Sequence, residues 1–182
     1  MSEEQDEKLV QRCLEGDRRA FEALVEKYQK IVFNVALRMT RDHADAQDIA
    51  QSAFIKAYEK LNTFDPKFKF FSWLYRIVVN ESLNFLTQRR KFEELDEELV
   101  SDDTSPEDVE QENATERKIQ DCLMELRVEH RVIVVLKHLQ DLSYGEISNI
   151  LDIPEKTVKS RLFTARAILR GLLLKKGIAK HD

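Results

Sequence analysis

The sequence predicts an all-α fold of two small helical domains joined by a flexible acidic linker, the C-terminal domain carrying a helix-turn-helix. Three observations carry that expectation. The chain of 182 residues has only 4 Gly and 3 Pro, while Glu, Lys, Leu, Arg and Ala are plentiful, a balance that favours helices over a turn-rich sheet. Apolar residues recur at steps of three and four along most of the chain, as on one face of a helix. Charge divides the chain into three parts. Residues 1–92 hold sixteen Lys/Arg against fourteen Asp/Glu, residues 93–116 twelve carboxylates and no basic group, and residues 117–182 thirteen basic against eight acidic groups. The net charge of -5 therefore belongs to the middle segment, and both flanks are mildly basic. An apolar share of 42% suffices for real cores and excludes disorder throughout. Cys13 and Cys122 stand far apart and outside any Cys/His cluster, which fits unpaired thiols in a reducing compartment. The N-terminus is acidic and polar, and the longest apolar run, VIVVL at 132–136, is too short to cross a bilayer; a cytosolic chain without membrane insertion is expected.

In chain order, DEKLVQRCLEG places Leu9, Val10, Cys13 and Leu14 on one helix face, and Gly16 closes the turn. DRRAFEALVEKYQKIVFNVALRMT follows, with Asp17 as a cap and Phe21, Leu24, Val25, Tyr28, Val32, Val35 and Met39 as its core stripe. DHADAQDIAQSAFIKAYEKL then buries Ala46, Ile49, Ala50, Ala53, Phe54 and Ala57, and turns Asp45, Asp48, Gln51 and Ser52 outward. Asp45 and Asp48 lie near His43 but lack a second half-site at ligand spacing, so neither a metal nor another cofactor is expected.

The character changes at LNTFDPKFKFFSWLYR, residues 61–76, where six aromatic rings are interleaved with Lys67, Lys69 and Arg76, and Asp65-Pro66 breaks the helix. Phe71 and Trp73 fit the core, since Trp73, Leu74, Ile77 and Val78 begin the stripe of the next helix. Phe64, Lys67, Phe68 and Lys69 offer rings and ammonium groups from a loop, the composition that stacks unpaired bases and holds their phosphates, at roughly 1–3 kcal/mol per stacked base. Arg76, Asn80 and Asn84 line up four residues apart on the following helix, and the row runs on through Thr87 to a basic end that includes Arg89 and Arg90.

The segment 93–116 combines like charge, scattered Leu and Val and a Ser-Pro, the composition of a linker. It reads either as a solvated spacer or as a polyanion that occupies a groove built for nucleic acid. Beyond it four helical stretches are expected. Ser143 and Glu146 form a capping box on YGEISNIL, Leu151 to Pro154 make a turn, and a long basic helix begins about Pro154, which is helix-turn-helix spacing. Val158, Leu162, Ala165 and Leu169 form the buried seam of that helix. Lys156, Lys159, Ser160, Phe163 and Thr164 then face outward with Arg161 and Arg166 beside them. A ring among cations is a poor solvent face, but it suits a major groove, where it can meet a thymine methyl while Lys reaches guanine.

Four stretches in order, GDRRAFEALVEKY, DAQDIAQSAFIKAY, FKFFSWLYRIVVN with QRRK, and LSYGEISNILDIPEKTVKSRLFTARAIL, resemble those of the extracytoplasmic-function (ECF, group IV) sigma factors of the sigma-70 family, over almost the whole chain. The chain departs from that pattern at Gln47 and Ser52, where Glu is common, at Arg127, where Pro is common, and at Lys156, where Gly is common. The resemblance implies region 2 in residues 1–92, a linker in 93–116 threading the polymerase cleft, and region 4 in 117–182. It implies that Asp45, Asp48, Ile49, Gln51, Ser52, Phe54 and Ile55 meet the clamp helices of the largest subunit of core RNA polymerase, and that region 4 meets the flap of the second-largest subunit. Phe64, Lys67, Phe68, Lys69, Arg76, Asn80, Asn84, Arg89 and Arg90 would take the minus-10 element as a melted strand. Ser143, Tyr144, Lys156, Thr157, Lys159, Ser160, Arg161, Phe163, Thr164 and Arg166 would read the minus-35 element of promoter DNA as duplex. No catalytic residue is implied, and an anti-sigma factor is the expected restraint. Two rivals stay open on sequence alone. A homodimeric helix-turn-helix repressor leaves the aromatic-basic loop unexplained, and a helical hydrolase lacks a nucleophile with its base.

Overall fold

The computed structural model describes residues 3–95 and 114–178. Among these there are eight α-helices and no strand: α1 (Glu3–Leu14), α2 (Arg18–Thr40), α3 (His43–Glu59), α4 (Phe70–Leu95), α5 (Ala114–Met124), α6 (Val128–Val134), α7 (Tyr144–Leu151) and α8 (Glu155–Lys175). The expected linker over 93–116 is shortened at both edges, because α4 runs to Leu95 and α5 begins at Ala114. Its centre lies outside the described residues.

Local chemistry sets the helix ends of the first domain. Gly16 turns the chain between α1 and α2 at φ 97°, as expected. Asp17 then caps α2 by accepting from the Arg19 amide at 3.0 Å, while the Arg12 guanidinium on the same carboxylate holds its pKa below the usual value. Asp42 caps α3 through the Asp45 amide at 2.8 Å. The core of this domain forms around α2, whose Leu24, Tyr28, Val32, Val35 and Met39 are buried as expected. Phe21 and Val25 of the same stripe are half-buried. Ala46, Ala53 and Ala57 are fully covered, and these small side chains let α3 lie close against α2. The Asp6 carboxylate is buried, accepts from the Tyr28 hydroxyl at 2.6 Å and pairs with Lys27, so it ties α1 to α2.

Three burial expectations need correction here. Leu14 is half exposed, because it ends the short α1 where that helix leaves the bundle. Trp73 and Phe71 are half-buried against the core, and the rings of this stretch that enter it are Phe70 and Tyr75. Alternation of Lys and Phe hides which ring faces inward until the start of α4 is fixed.

The second domain packs α6 and α8 around Val132 to Leu136, Ile147, Ile150, Val158, Leu162 and Ala165, all buried. Leu169 of the expected seam is half-buried. After α6 the chain widens into a π-helical turn, Val135–Leu139, that no sequence signal announced. Ser143 and Glu146 form the capping box that the spacing predicted. Asp152, left-handed at φ 54°, ends α7, and Ser148 closes the turn by donating to the Ile153 carbonyl at 2.6 Å.

The two domains touch. The buried Arg131 guanidinium donates to the carbonyls of Leu123, Met124 and Leu126 at the end of α5, and across the interface to that of Met39 at 2.6 Å. Desolvation lowers its pKa from the ordinary arginine value. Gln120 accepts from Arg38 at 3.0 Å and reaches the carbonyls of Leu37 and Arg38 at 3.3 Å, while Asp121 pairs with Arg41 at 2.5 Å. Farther along, the Tyr75 hydroxyl donates to Gln140 at 2.5 Å, and burial raises its pKa.

Candidate nucleic-acid interface

Three surfaces gather the residues singled out in the sequence. The first is a groove of about 420 Å³ between α2 and α3, lined by Val25, Lys30, Phe33, Gln47, Gln51 and Phe54 among others. Asp48 and Gln51 are exposed on its rim, Ser52 and Phe54 are half-buried, and Ile55 and Tyr58 stand half exposed beside it. Ile49, expected as a contact residue, lies in the core beneath this surface and is not accessible to a partner. Asp45 is engaged by Arg89 at 3.1 Å, and burial, with Asp42 alongside, raises its carboxyl pKa. One residue of the expected polymerase face therefore holds one of the expected minus-10 face. The α2 wall of the groove is not legible in the sequence, because Val25 falls on the core stripe and Phe33 carries no signal of its own.

The second surface is built by the turn before α4. Asp65 accepts from the Lys67 amide at 3.0 Å, a turn that Pro66 pre-shapes, and this swings Lys67, Phe68 and Lys69 outward. Phe68 is half exposed. Phe64 is not the free ring that the sequence suggested. It is half-buried, edge-on to Phe70 and to Trp73 with both centroids at 5.7 Å, so a base meeting it would join an existing aromatic stack. Arg76, Asn80 and Asn84 are exposed in one row along α4, as their spacing predicted, and Arg89 and Arg90 follow as exposed residues. A cleft of about 750 Å³ opens against this row, with Phe64, Phe68, Trp73 and Arg76 on one wall and α7 with its turn on the other. Across it Lys69 meets Glu146 at 3.3 Å and Arg76 meets Asp152 at 3.4 Å. Burial works against the charge on Glu146, but hydrogen bonds from the Ser143 amide and hydroxyl and from Lys69 outweigh it and hold the carboxyl below its ordinary pKa.

The third surface is the outer face of α8. Phe163 is 77% exposed, beside exposed Lys156, Lys159, Ser160, Thr164 and Arg166. Thr157 and Arg161 are half-buried at its edges. Lys159 and Lys137 sit over the Tyr144 ring at 5.5 and 5.7 Å, which steadies both ammonium groups, and Lys159 is also 3.6 Å from Glu155. Two expected DNA donors have intramolecular partners. The Ser143 hydroxyl serves the capping box, and the Thr164 hydroxyl donates back to the Ser160 carbonyl at 3.2 Å. Arg166 donates through Nε to His138 Nε2 at 3.1 Å, and burial together with Arg166 and Lys137 lowers the His138 pKa. No sequence signal marks His138, since a lone His on a mixed face carries none of its own.

Comparison with known proteins finds two family models along the chain. The family model for Sigma-70 region 2 matches residues 24–92, and that for Sigma-70, region 4 matches residues 116–169. The chain is 36% identical over 179 residues to the RNA polymerase sigma-H factor of Pseudomonas aeruginosa, covering 91% of this chain and 92% of that one. It is 34% identical to the ECF RNA polymerase sigma factor SigW of Bacillus subtilis, covering 91% and 95% of the two chains. Its fold is similar to that of the sigma factor RpoE, solved with the anti-sigma factor NepR from Bartonella quintana, at a TM-score of 0.73 and 21% identity over 84% of this chain and 96% of that one. Two sigma-70 family models cover most of the chain, the relatives match it along nearly their whole length, and the chain belongs to the ECF sigma factors of the sigma-70 family.

Proposed function

We propose that this sigma factor divides promoter recognition between its two domains, residues 1–92 taking the minus-10 strand and residues 117–182 the minus-35 duplex, with 93–116 as an acidic linker between them. The observation that carries the reading is the pairing, in one chain, of a ring-and-cation loop beside a row of amide donors with a helix that presents an exposed Phe among cations. The first set suits unpaired bases and the second a major groove. An extruded base would meet the aromatic stack at Phe64 and the Asn80 amide, which supplies donors and an acceptor for the base edge. Unstacking costs a few kcal/mol, which stacking and phosphate contacts from Lys67, Lys69 and Arg76 can offset.

The α2–α3 groove, with Asp48, Gln51, Ser52, Phe54 and Ile55 along it, would receive the clamp helices of core polymerase, and the second domain would meet the flap. The polymerase performs the chemistry, so the chain needs no catalytic residue of its own. Among the described residues no helix is long and apolar enough to cross a membrane. The template and polymerase it serves place the chain in the cytoplasm, and any attachment to a membrane would come through an anti-sigma factor. The deciding experiment mixes the purified chain with core polymerase. Co-elution and start-site-specific transcription are expected; a chain that binds a palindromic duplex as a homodimer without polymerase would overturn the reading.

A further inference from the structure

The π-helical turn Val135–Leu139 precedes the helix-turn-helix, yet it delivers a side chain to the outer face of α8. His138 on this turn and Arg166 on α8 are both exposed, and the guanidinium donates through Nε to the imidazole Nε2 at 3.1 Å. Only a neutral imidazole can accept, so this bond specifies uncharged His138 with its proton on Nδ1. The neighbouring Lys137 is committed to its own loop: it donates to the Leu142 carbonyl at 2.9 Å and pairs with Asp141 at 3.6 Å. Position along α8 says what the His138–Arg166 pair faces. Arg166 lies seven residues beyond Lys159 on the same side of the helix, about 10 Å farther along its axis. The major groove is about 12 Å wide, so with Lys159 at a base edge the pair comes to the phosphates that border the groove.

We propose that His138 is a proton-gated contact to the DNA backbone, a phosphate-binding partner of Arg166 at the margin of the duplex-reading face. The proposal rests on the reading of the outer face of α8 as that face. Before DNA arrives the imidazole is neutral and serves Arg166 as an acceptor. The charged groups facing it are Arg166 from α8 and, from its own turn and the loop after it, Lys137 and Asp141. Burial, Arg166 and Lys137 oppose a proton there, with Asp141 working the other way. A phosphate seated on Arg166 cancels the opposition of the guanidinium and gives an imidazolium something to donate to. Protonation then turns His138 from acceptor to donor, and both side chains hold the backbone. Since a phosphate raises the proton affinity of His138, a proton on His138 must raise the affinity for phosphate by the same factor, and duplex binding tightens as the pH falls. Loss of the Arg166 bond offsets only part of this gain, because water replaces the imidazole on an exposed guanidinium at little cost.

The test uses the full chain and a short fluorescent duplex of mixed sequence, because a backbone contact needs no particular promoter. Binding is measured between about pH 8 and about pH 5.5, a range that brackets the ordinary histidine pKa, at several salt concentrations. His138→Gln keeps an acceptor for Arg166 but cannot take up a charge, and His138→Lys carries the charge throughout. His43, His130 and His181 are common to all these proteins, so the difference between parent and variant isolates His138. On acidification the parent should tighten roughly two- to fivefold more than His138→Gln does, with a salt slope steeper by about one. At the alkaline end His138→Gln should bind like the parent and His138→Lys more tightly than either. Proton NMR of the parent should show the His138 midpoint rising when the duplex is added. Matching pH profiles for parent and His138→Gln, or a His138 midpoint that the duplex does not move, overturns the contact. Lys159→Ala with Arg166→Ala checks the face itself. If that double variant binds the duplex as the parent does, the outer face of α8 is no duplex reader and the His138 contact falls with it. If it weakens binding while His138→Gln changes nothing at any pH, the contact alone is overturned and the face stands.

Discussion

The two proposed nucleic-acid faces differ in what their side chains do before any DNA arrives. On α8 the central ring, Phe163, is almost wholly in solvent, and the neighbouring Lys159 is steadied by contacts within its own domain. At the loop before α4 the central ring, Phe64, is locked against Phe70 and Trp73, and the two flanking cations point at carboxylates of the opposite domain. A duplex presents its groove ready-made, so its reader can stand open; an unpaired strand exists only after melting, so its reader can remain covered until then without loss. The difference teaches that the domains are equivalent in fold class but not in readiness.

The strongest way to break the comparison is to cut the interface at its buried charge. Arg131→Leu leaves the carbonyls of Leu123, Met124, Leu126 and Met39 without their donor, and should destabilise the second domain by roughly 3–5 kcal/mol in denaturant titrations. Arg131→Lys should rescue little, because an ammonium cannot present the planar fork that reaches several carbonyls at once.

A smaller effect separates melting from docking. Asn80→Ala, at an exposed position, should leave polymerase binding and minus-35 docking intact while weakening the open complex by roughly 1–3 kcal/mol, read as permanganate reactivity of promoter thymines and run-off transcription. Phe64→Ala should show the same defect plus a loss of thermal stability, since its ring also packs on Phe70 and Trp73. A pre-melted template that keeps the minus-10 bases should recover both only in part. Unimpaired melting by both variants would remove the base pocket from this surface.

For the duplex reader, Lys159→Ala should cost roughly 1–3 kcal/mol and relax preference at one minus-35 position if the ammonium meets a base edge. A uniform loss with a shallower salt slope would assign it to phosphate instead.

Much of this was legible beforehand, for identifiable reasons. The stripe of α2, the capping box at Ser143 and the buried seam of α8 are local, and their signals lie within a few residues of one another. The errors arose where the partner lies far away in the chain. Phe64 reads as a free ring because its partners follow a helix break, and Ile49, which its periodicity puts in the core where the structure has it, joined the polymerase face only through the resemblance. The interface was illegible, since Tyr75 meets Gln140 across 65 positions and Arg131 meets Met39 across 92, and no periodicity marks a lone polar residue whose partner is that remote.

The smallest expected effect is one of pH. The folded His138 pKa lies below its ordinary value of 6.5, so between the two values the unfolded chain holds the extra proton more readily. Stability should therefore fall slightly as pH drops through that window and be unaffected above it, while protonation takes away the acceptor that orients Arg166. Proton NMR of His138 should give a midpoint below 6.5, shifted part of the way back by Arg166→Ala, since burial remains the larger cause.

The 92 positions between Met39 and Arg131 also set a schedule. During synthesis at roughly 5–20 residues per second, the end of α2 waits on the order of five to twenty seconds for its guanidinium, and water must solvate the Met39 carbonyl meanwhile. Glu146 and Asp152 emerge later still. A chain still attached to the ribosome, or one whose synthesis stops short of α7, therefore exposes Lys69 and Arg76 without the anions that cover them in the finished molecule.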